Sequence, residues 1–89
     1  MLVAIDYDGT YTADPAAWDV AIRVLRLAGH EVVCVTMRYE NEAITTNLPG
    51  GCLIYYTGRK AKIQWCKAHG IHPDIWIDDE PHWLLKDSL

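Results

Sequence analysis

The chain has 89 residues, 51% of them hydrophobic and 22% charged, and a net charge of −4. That length holds a single domain, residues 1–89, and the balance is globular rather than disordered. No apolar run approaches the roughly 18 residues of a membrane span, and the negative charge opposes a broad electrostatic grip on nucleic acid.

In chain order, Leu2 to Ile5 is a continuous apolar run that stops at Asp6. It has no basic region ahead of it, so a signal peptide is not expected and a cytoplasmic location follows. Asp14 can cap a helix and Pro15 suits its first turn. Trp18, Ala21, Ile22 and Leu25 repeat at helical spacing until Gly29 ends the pattern. Val32 to Val35 reads as a second buried strand ending at Thr36. Glu40 to Leu48 predicts a short, weak helix stopped by Pro49-Gly50-Gly51. Cys52 to Tyr56 is a third strand, Arg59 to His69 a second main helix, and Ile75 to Ile77 a fourth strand ending at Asp78-Asp79. Pro81 to Leu89 predicts a last short helix.

Strands alternating with helices imply a parallel sheet with right-handed crossovers. The expected fold is a Rossmann-like three-layer α/β/α domain around a sheet of about four strands. Cys34, Cys52 and Cys66 are odd in number and lack CxxC spacing, so they are expected to be reduced residues in or near the core. A chain this short buries only about 60–65% of its unfolded surface, which favours self-association as a homodimer.

Ligands bind such sheets at the carboxyl ends of their strands. Four separate parts of the chain bring chemistry-bearing residues there. Asp6-Tyr7-Asp8-Gly9-Thr10 follows the first strand, and Gly9 allows the turn that returns Asp8 over the site. Asp6 suits a nucleophile toward phosphorus, and Asp8 suits a general acid and base. Thr36 and Arg38 can reach a phosphoryl oxygen. Among Arg59, Lys60 and Lys62, placed where a helix macrodipole prefers anions, Lys60 is the first choice to neutralise a phosphoryl group and Lys62 the reserve. Asp78, Asp79 and Glu80 repel one another unless a cation such as Mg²⁺ binds them.

These four segments resemble, in order, the motifs of the haloacid dehalogenase (HAD) superfamily, from residue 2 to about residue 81. The resemblance implies Asp6 as nucleophile and Asp8 as general acid/base, with Gly9 and Thr10 completing the first motif. It also implies that Asp6, the Asp8 carbonyl and Asp79 hold Mg²⁺, with Asp78 as a supporting partner. A second aspartate two residues after the nucleophile marks the phosphatase branch. No cap domain fits: only Tyr11 to Asp14 separates the first motif from its helix, and about fifteen residues separate Thr36 from the third strand. The implied protein is therefore a minimal, capless phosphomonoesterase. Its open site would suit a phosphorylated macromolecule such as a nucleic-acid end or a phosphoprotein. The alternative is a non-catalytic binding or regulatory module that keeps the metal site.

Overall fold

Short apolar runs pair into a parallel sheet, most fully buried in its two central strands, in the computed structural model, which describes residues 1–88. The strands are β1 (Leu2–Ile5), β2 (Glu31–Thr36), β3 (Leu53–Tyr56) and β4 (Ile75–Ile77). All pairings are parallel, in the order β3-β2-β1-β4. β1 is thus central, and the chain turns outward from it on both sides.

Alternate residues of the central strands feed two separate cores. Val3, Ile5, Val32 and Cys34 pack with Ile22 of helix α1 (Pro15–Leu27), with Trp18 and Leu25 beside them. Ala4, Val33 and Val35 pack with Cys66 of helix α2 (Lys62–Ala68), beside Trp65. Period-two alternation in the strands thus assigns each helix its own set of strand residues. The three cysteines are free and buried. Among the described residues no helix is long and apolar enough to cross a membrane.

α1 forms where its caps predict. The Asp14 carboxylate accepts from the Ala17 amide at 3.3 Å, Pro15 opens the helix, and Gly29 at φ 90° follows its end. Three other helical expectations need correcting. Residues 40–48 form only a 3₁₀ turn, Glu40–Glu42, and the Ile44 amide then donates to the Tyr56 hydroxyl at 3.0 Å instead of to a preceding carbonyl. The second main helix begins at Lys62, not Arg59. Arg59 is left-handed at φ 70°, and the Thr57 hydroxyl donates to the Lys60 carbonyl at 2.9 Å, so residues 57–61 form a turn. The expected last helix is a 3₁₀ turn, Pro81–Leu84, followed by irregular chain to Ser88; Leu89 lies outside the described residues.

The core makes a direct prediction. Ile22 is fully buried whereas Val24, on the outer side of α1, is 58% exposed. Ile22→Ala should lower the unfolding free energy by about 2–4 kcal/mol in a urea titration. Val24→Ala should change it by less than about 0.5 kcal/mol. Equal effects would contradict the assigned inner face.

Candidate functional site

Register places the first and fourth site segments side by side. Ile5 pairs with Ile77, and the Asp6 amide donates to the Ile77 carbonyl at 2.9 Å, so the ladder continues one step past β1. Asp6 and Asp78, the next residue on each strand, therefore leave the sheet as neighbours. On the other side Thr36 ends β2 opposite Tyr56, and its carbonyl accepts from the Thr57 amide at 2.8 Å.

A buried cation holds the two aspartates together. Lys62 Nζ lies 2.7 Å from Asp6 Oδ1 and 2.7 Å from Asp78 Oδ2, and all three side chains are under 10% exposed. Asp78 is fully engaged, because its other oxygen accepts from the Glu80 amide at 3.0 Å. The Thr10 hydroxyl lies 3.1 Å from Asp6 Oδ2 and 2.9 Å from Asp79 Oδ1, and accepts from the Asp79 amide at 3.1 Å. Its single proton is shared between two carboxylates. Gly9 makes this approach possible. It sits at φ 84°, and a Cβ there would come within 2.5 Å of Asp79 Oδ2.

Burial pushes the Asp6 carboxyl up from its ordinary 3.8 to about 6, against the opposing pull of Lys62. Burial alone would lower Lys62, but Asp6 and Asp78 outweigh it and hold the ammonium above its usual range. Asp79 lies below the usual carboxylate range because hydrogen bonding with Asp6 and Thr10 overcomes its desolvation.

Asp8 belongs to a second, more open cluster. Arg38 grips it with Nε and Nη2, each at 2.8 Å, and this pairing lowers its carboxyl below the ordinary value. Arg38 also donates to the Glu42 carbonyl at 3.0 Å and lies over the Tyr7 ring. Arg59 binds the Glu42 carboxylate at 3.1 and 3.2 Å and lies over Tyr39. The 3₁₀ turn that replaces the expected helix is thus the anchor for both arginines.

Asp6, Asp8, Thr36, Arg38, Asp78 and Asp79 line one cleft of about 170 Å³. Thr10 bridges two of its carboxylates, Asp6 and Asp79, and Gly9 lies against the second of these. Lys60 is not in this group. Its side chain is 67% exposed and its nearest acid is Asp87, at 4.0 Å. The buried lysine is Lys62, and one signal for it was present in the sequence. Lys62 and Cys66 stand four apart on one helix face, so a helix that buries Cys66 against the sheet turns Lys62 the same way. Arg59, Glu80, Trp83 and Ser88 also line the cleft; of these the sequence pointed to Arg59 among the three cations ahead of α2 and to Glu80 in the acidic turn.

Five acids and three bases line the cleft, a net charge of −2. Asp6, Asp78 and Asp79 each offer a carboxylate oxygen, and these oxygens lie within 4.8 Å of one another. All the donors are hard oxygens, the set a divalent cation such as Mg²⁺ prefers, and Asp79 is the one not tied to Lys62. The residues present fit such an ion.

The lysine assignment separates two variants. Lys62→Met leaves two buried carboxylates without their cation and should cost about 3–5 kcal/mol of stability. Lys60→Ala should cost less than about 0.5 kcal/mol. Thermal unfolding of both proteins checks this, and similar losses would contradict the geometry.

Asp6 makes a pH prediction. The native state binds its proton more tightly than the unfolded chain does, so ionising Asp6 costs folding energy between pH 4 and pH 6. Asn at this position cannot titrate. Relative to Asp6→Asn, the metal-free wild type should therefore lose about 2 kcal/mol between pH 4 and pH 6, most of the roughly 3 kcal/mol equivalent to moving a carboxyl from 3.8 to about 6. Urea titrations across that range give the difference directly, and a constant gap would show that Asp6 titrates normally.

No family model, curated protein or solved structure matches the chain, so a functional reading has to rest on this geometry.

Proposed function

We propose that this protein is a magnesium-dependent phosphomonoesterase working through an aspartyl-phosphate on Asp6, a three-layer, capless member of the HAD superfamily. The observation that carries the reading is the meeting of Asp6, Asp78, Asp79 and Lys62 at the carboxyl ends of two adjacent parallel strands. A scaffold would not bury two carboxylates on one lysine, with a third carboxylate beside them, at a cost in stability.

Asp6, Asp79 and the Asp8 carbonyl would hold Mg²⁺, which when bound supplies positive charge against the carboxylates and the phosphoryl oxygens. Asp6 Oδ attacks phosphorus in line, forming one P–O bond as the bond to the leaving oxygen breaks. Asp8 gives its proton to that oxygen. Water then attacks the phosphoryl group, Asp8 takes the water's proton, and the bond to Asp6 breaks to release phosphate. Lys62 neutralises the nucleophile's neighbourhood and orients Asp6. Thr36, buried at the cleft wall, would bond an equatorial oxygen through its hydroxyl.

The Arg38 pair bears on this cycle. As long as Arg38 holds Asp8 bidentately, Asp8 stays ionised and has no proton to give. A phosphoryl dianion is the stronger partner for a guanidinium, so substrate would draw Arg38 away and leave Asp8 free to take up a proton. The three buried, free cysteines suit a reducing cytoplasm.

The same Arg38 pair favours one other reading, a regulatory module that binds metal without turnover. Hydrolysis of an aryl phosphate, measured with Mg²⁺, with EDTA and in Asp6→Asn, separates the two. The phosphatase reading expects turnover that EDTA abolishes and that falls on the order of a thousandfold or more in a folded Asp6→Asn protein. Turnover retained by that variant would refute the aspartyl-phosphate mechanism. Mg²⁺ raising the melting temperature through Asp6 without any hydrolysis would identify the module.

A further inference from the structure

The segment after β4 folds back across the cleft. The Asp87 carboxylate accepts from the Ala61 amide at 2.7 Å, just ahead of α2, and the Ser88 amide donates to the Arg59 carbonyl at 2.7 Å. Between these anchors and Asp79, the 3₁₀ turn Pro81–Leu84 brings Trp83 to the cleft wall. Its indole N–H donates to Glu80 Oε2 at 2.6 Å, and the His82 ring packs against it with centroids 4.4 Å apart. Trp83 is half-buried and held at one edge and by one neighbour. It is the one aromatic side chain of the cleft lining.

Resting on the phosphatase reading above, the geometry points to a substrate class: phosphate esters whose leaving group is an aromatic ring joined directly to the ester oxygen. Trp83 is the residue that selects them. Stacking on an indole is worth about 1–3 kcal/mol per ring and tolerates varied ring chemistry. Trp83 shares the lining of one small cleft, about 170 Å³, with Asp6 and Asp8. A ring carried on the ester oxygen itself, as in a phosphorylated phenol side chain, stays within that cleft and beside the indole, whereas a base held one sugar farther away extends toward its open side. The segment 81–88 thereby supplies, from the chain's own continuation, a wall over an otherwise open site.

Calorimetric binding of non-hydrolysable phosphonates in the presence of Mg²⁺ tests this without requiring turnover. The ligands are phenylphosphonate, methylphosphonate and a nucleoside 5′-phosphonate; the proteins are the wild type, Trp83→Ala, Trp83→Leu and Trp83→Phe. Trp83→Ala and Trp83→Leu should weaken phenylphosphonate about tenfold and methylphosphonate less than twofold, while Trp83→Phe restores most of the loss. Leu keeps bulk without an aromatic face, so it decides the matter if the Ala protein fails to fold. The inference is overturned if the wild type does not prefer phenylphosphonate, if both simple ligands weaken equally, or if neither does. A larger Trp83 dependence for the nucleoside phosphonate would overturn the direct attachment of the ring. Wild-type protein that selects phenylphosphonate through Trp83 yet hydrolyses no phosphate ester would leave Trp83's selection of aryl ligands standing and remove the phosphatase reading, and the leaving-group role with it.

Discussion

The site is organised by the contact of Lys62 with Asp6 and Asp78. An ammonium in the first turn of a seven-residue helix is placed against the macrodipole, and burial at 3% exposure adds a desolvation cost. Two carboxylates at 2.7 Å compensate both costs at once. The same contact fixes three elements: β1 through Asp6, β4 through Asp78, and α2 through the lysine itself. β4 has only three residues and sits at a sheet edge, so this link adds to what its short ladder supplies.

The topology explains why the cluster lies where it does. From β1 the chain moves over one face to β2 by way of α1. It reaches β4 from β3 by way of α2, with the other core. The crevice lies at the carboxyl ends of β1 and β4, lined by the turn that follows β1 and by the segment that follows β4. Register then fills the crevice with acids, because Asp6 and Asp78 are the first residues beyond the paired Ile5 and Ile77. Gly9 lets Asp79 close in from the far side, and one threonine hydroxyl serves two carboxylates. Burial at this end of the crevice raises the Asp6 carboxyl, and the neighbouring Asp78 and Asp79 add to it. Sites built for charge chemistry regularly give up stability in this way.

Much of this was legible in the sequence where the signal is local. The four strands, the caps of α1 and the acids after β1 and β4 all follow from short apolar runs, an Asp-Pro start and residues at strand ends. Elements decided by distant contacts were not legible. Residues 40–48 carry a helix-like pattern, yet Tyr56 takes the Ile44 amide, Thr46 pairs with the Tyr7 hydroxyl, and Glu42 is recruited by Arg59. Each of these partners lies at least twelve residues away along the chain. The choice between Lys60 and Lys62 turned on where α2 begins. A left-handed Arg59 delays that start to Lys62. The return of Asp87 and Ser88 to the start of α2 has no local signature at all.

Two kinds of charge pairing coexist in this cleft, and the difference between them suits different tasks. Lys62 and its aspartates are buried, so water cannot replace either partner and the arrangement is rigid. Arg38 and Asp8 are 30% and 55% exposed, so their pair is weak in net terms despite good bidentate geometry, and an arriving anion can compete for the guanidinium. β1 delivers Asp6 into the dry end of the cleft and Asp8, two residues on, into the wet end. In the proposed cycle that division would suit the two roles, because a nucleophile has to be held still whereas a residue that gives and takes a proton has to change partners. With so few residues between sheet and solvent, that two-residue step is enough to build both environments.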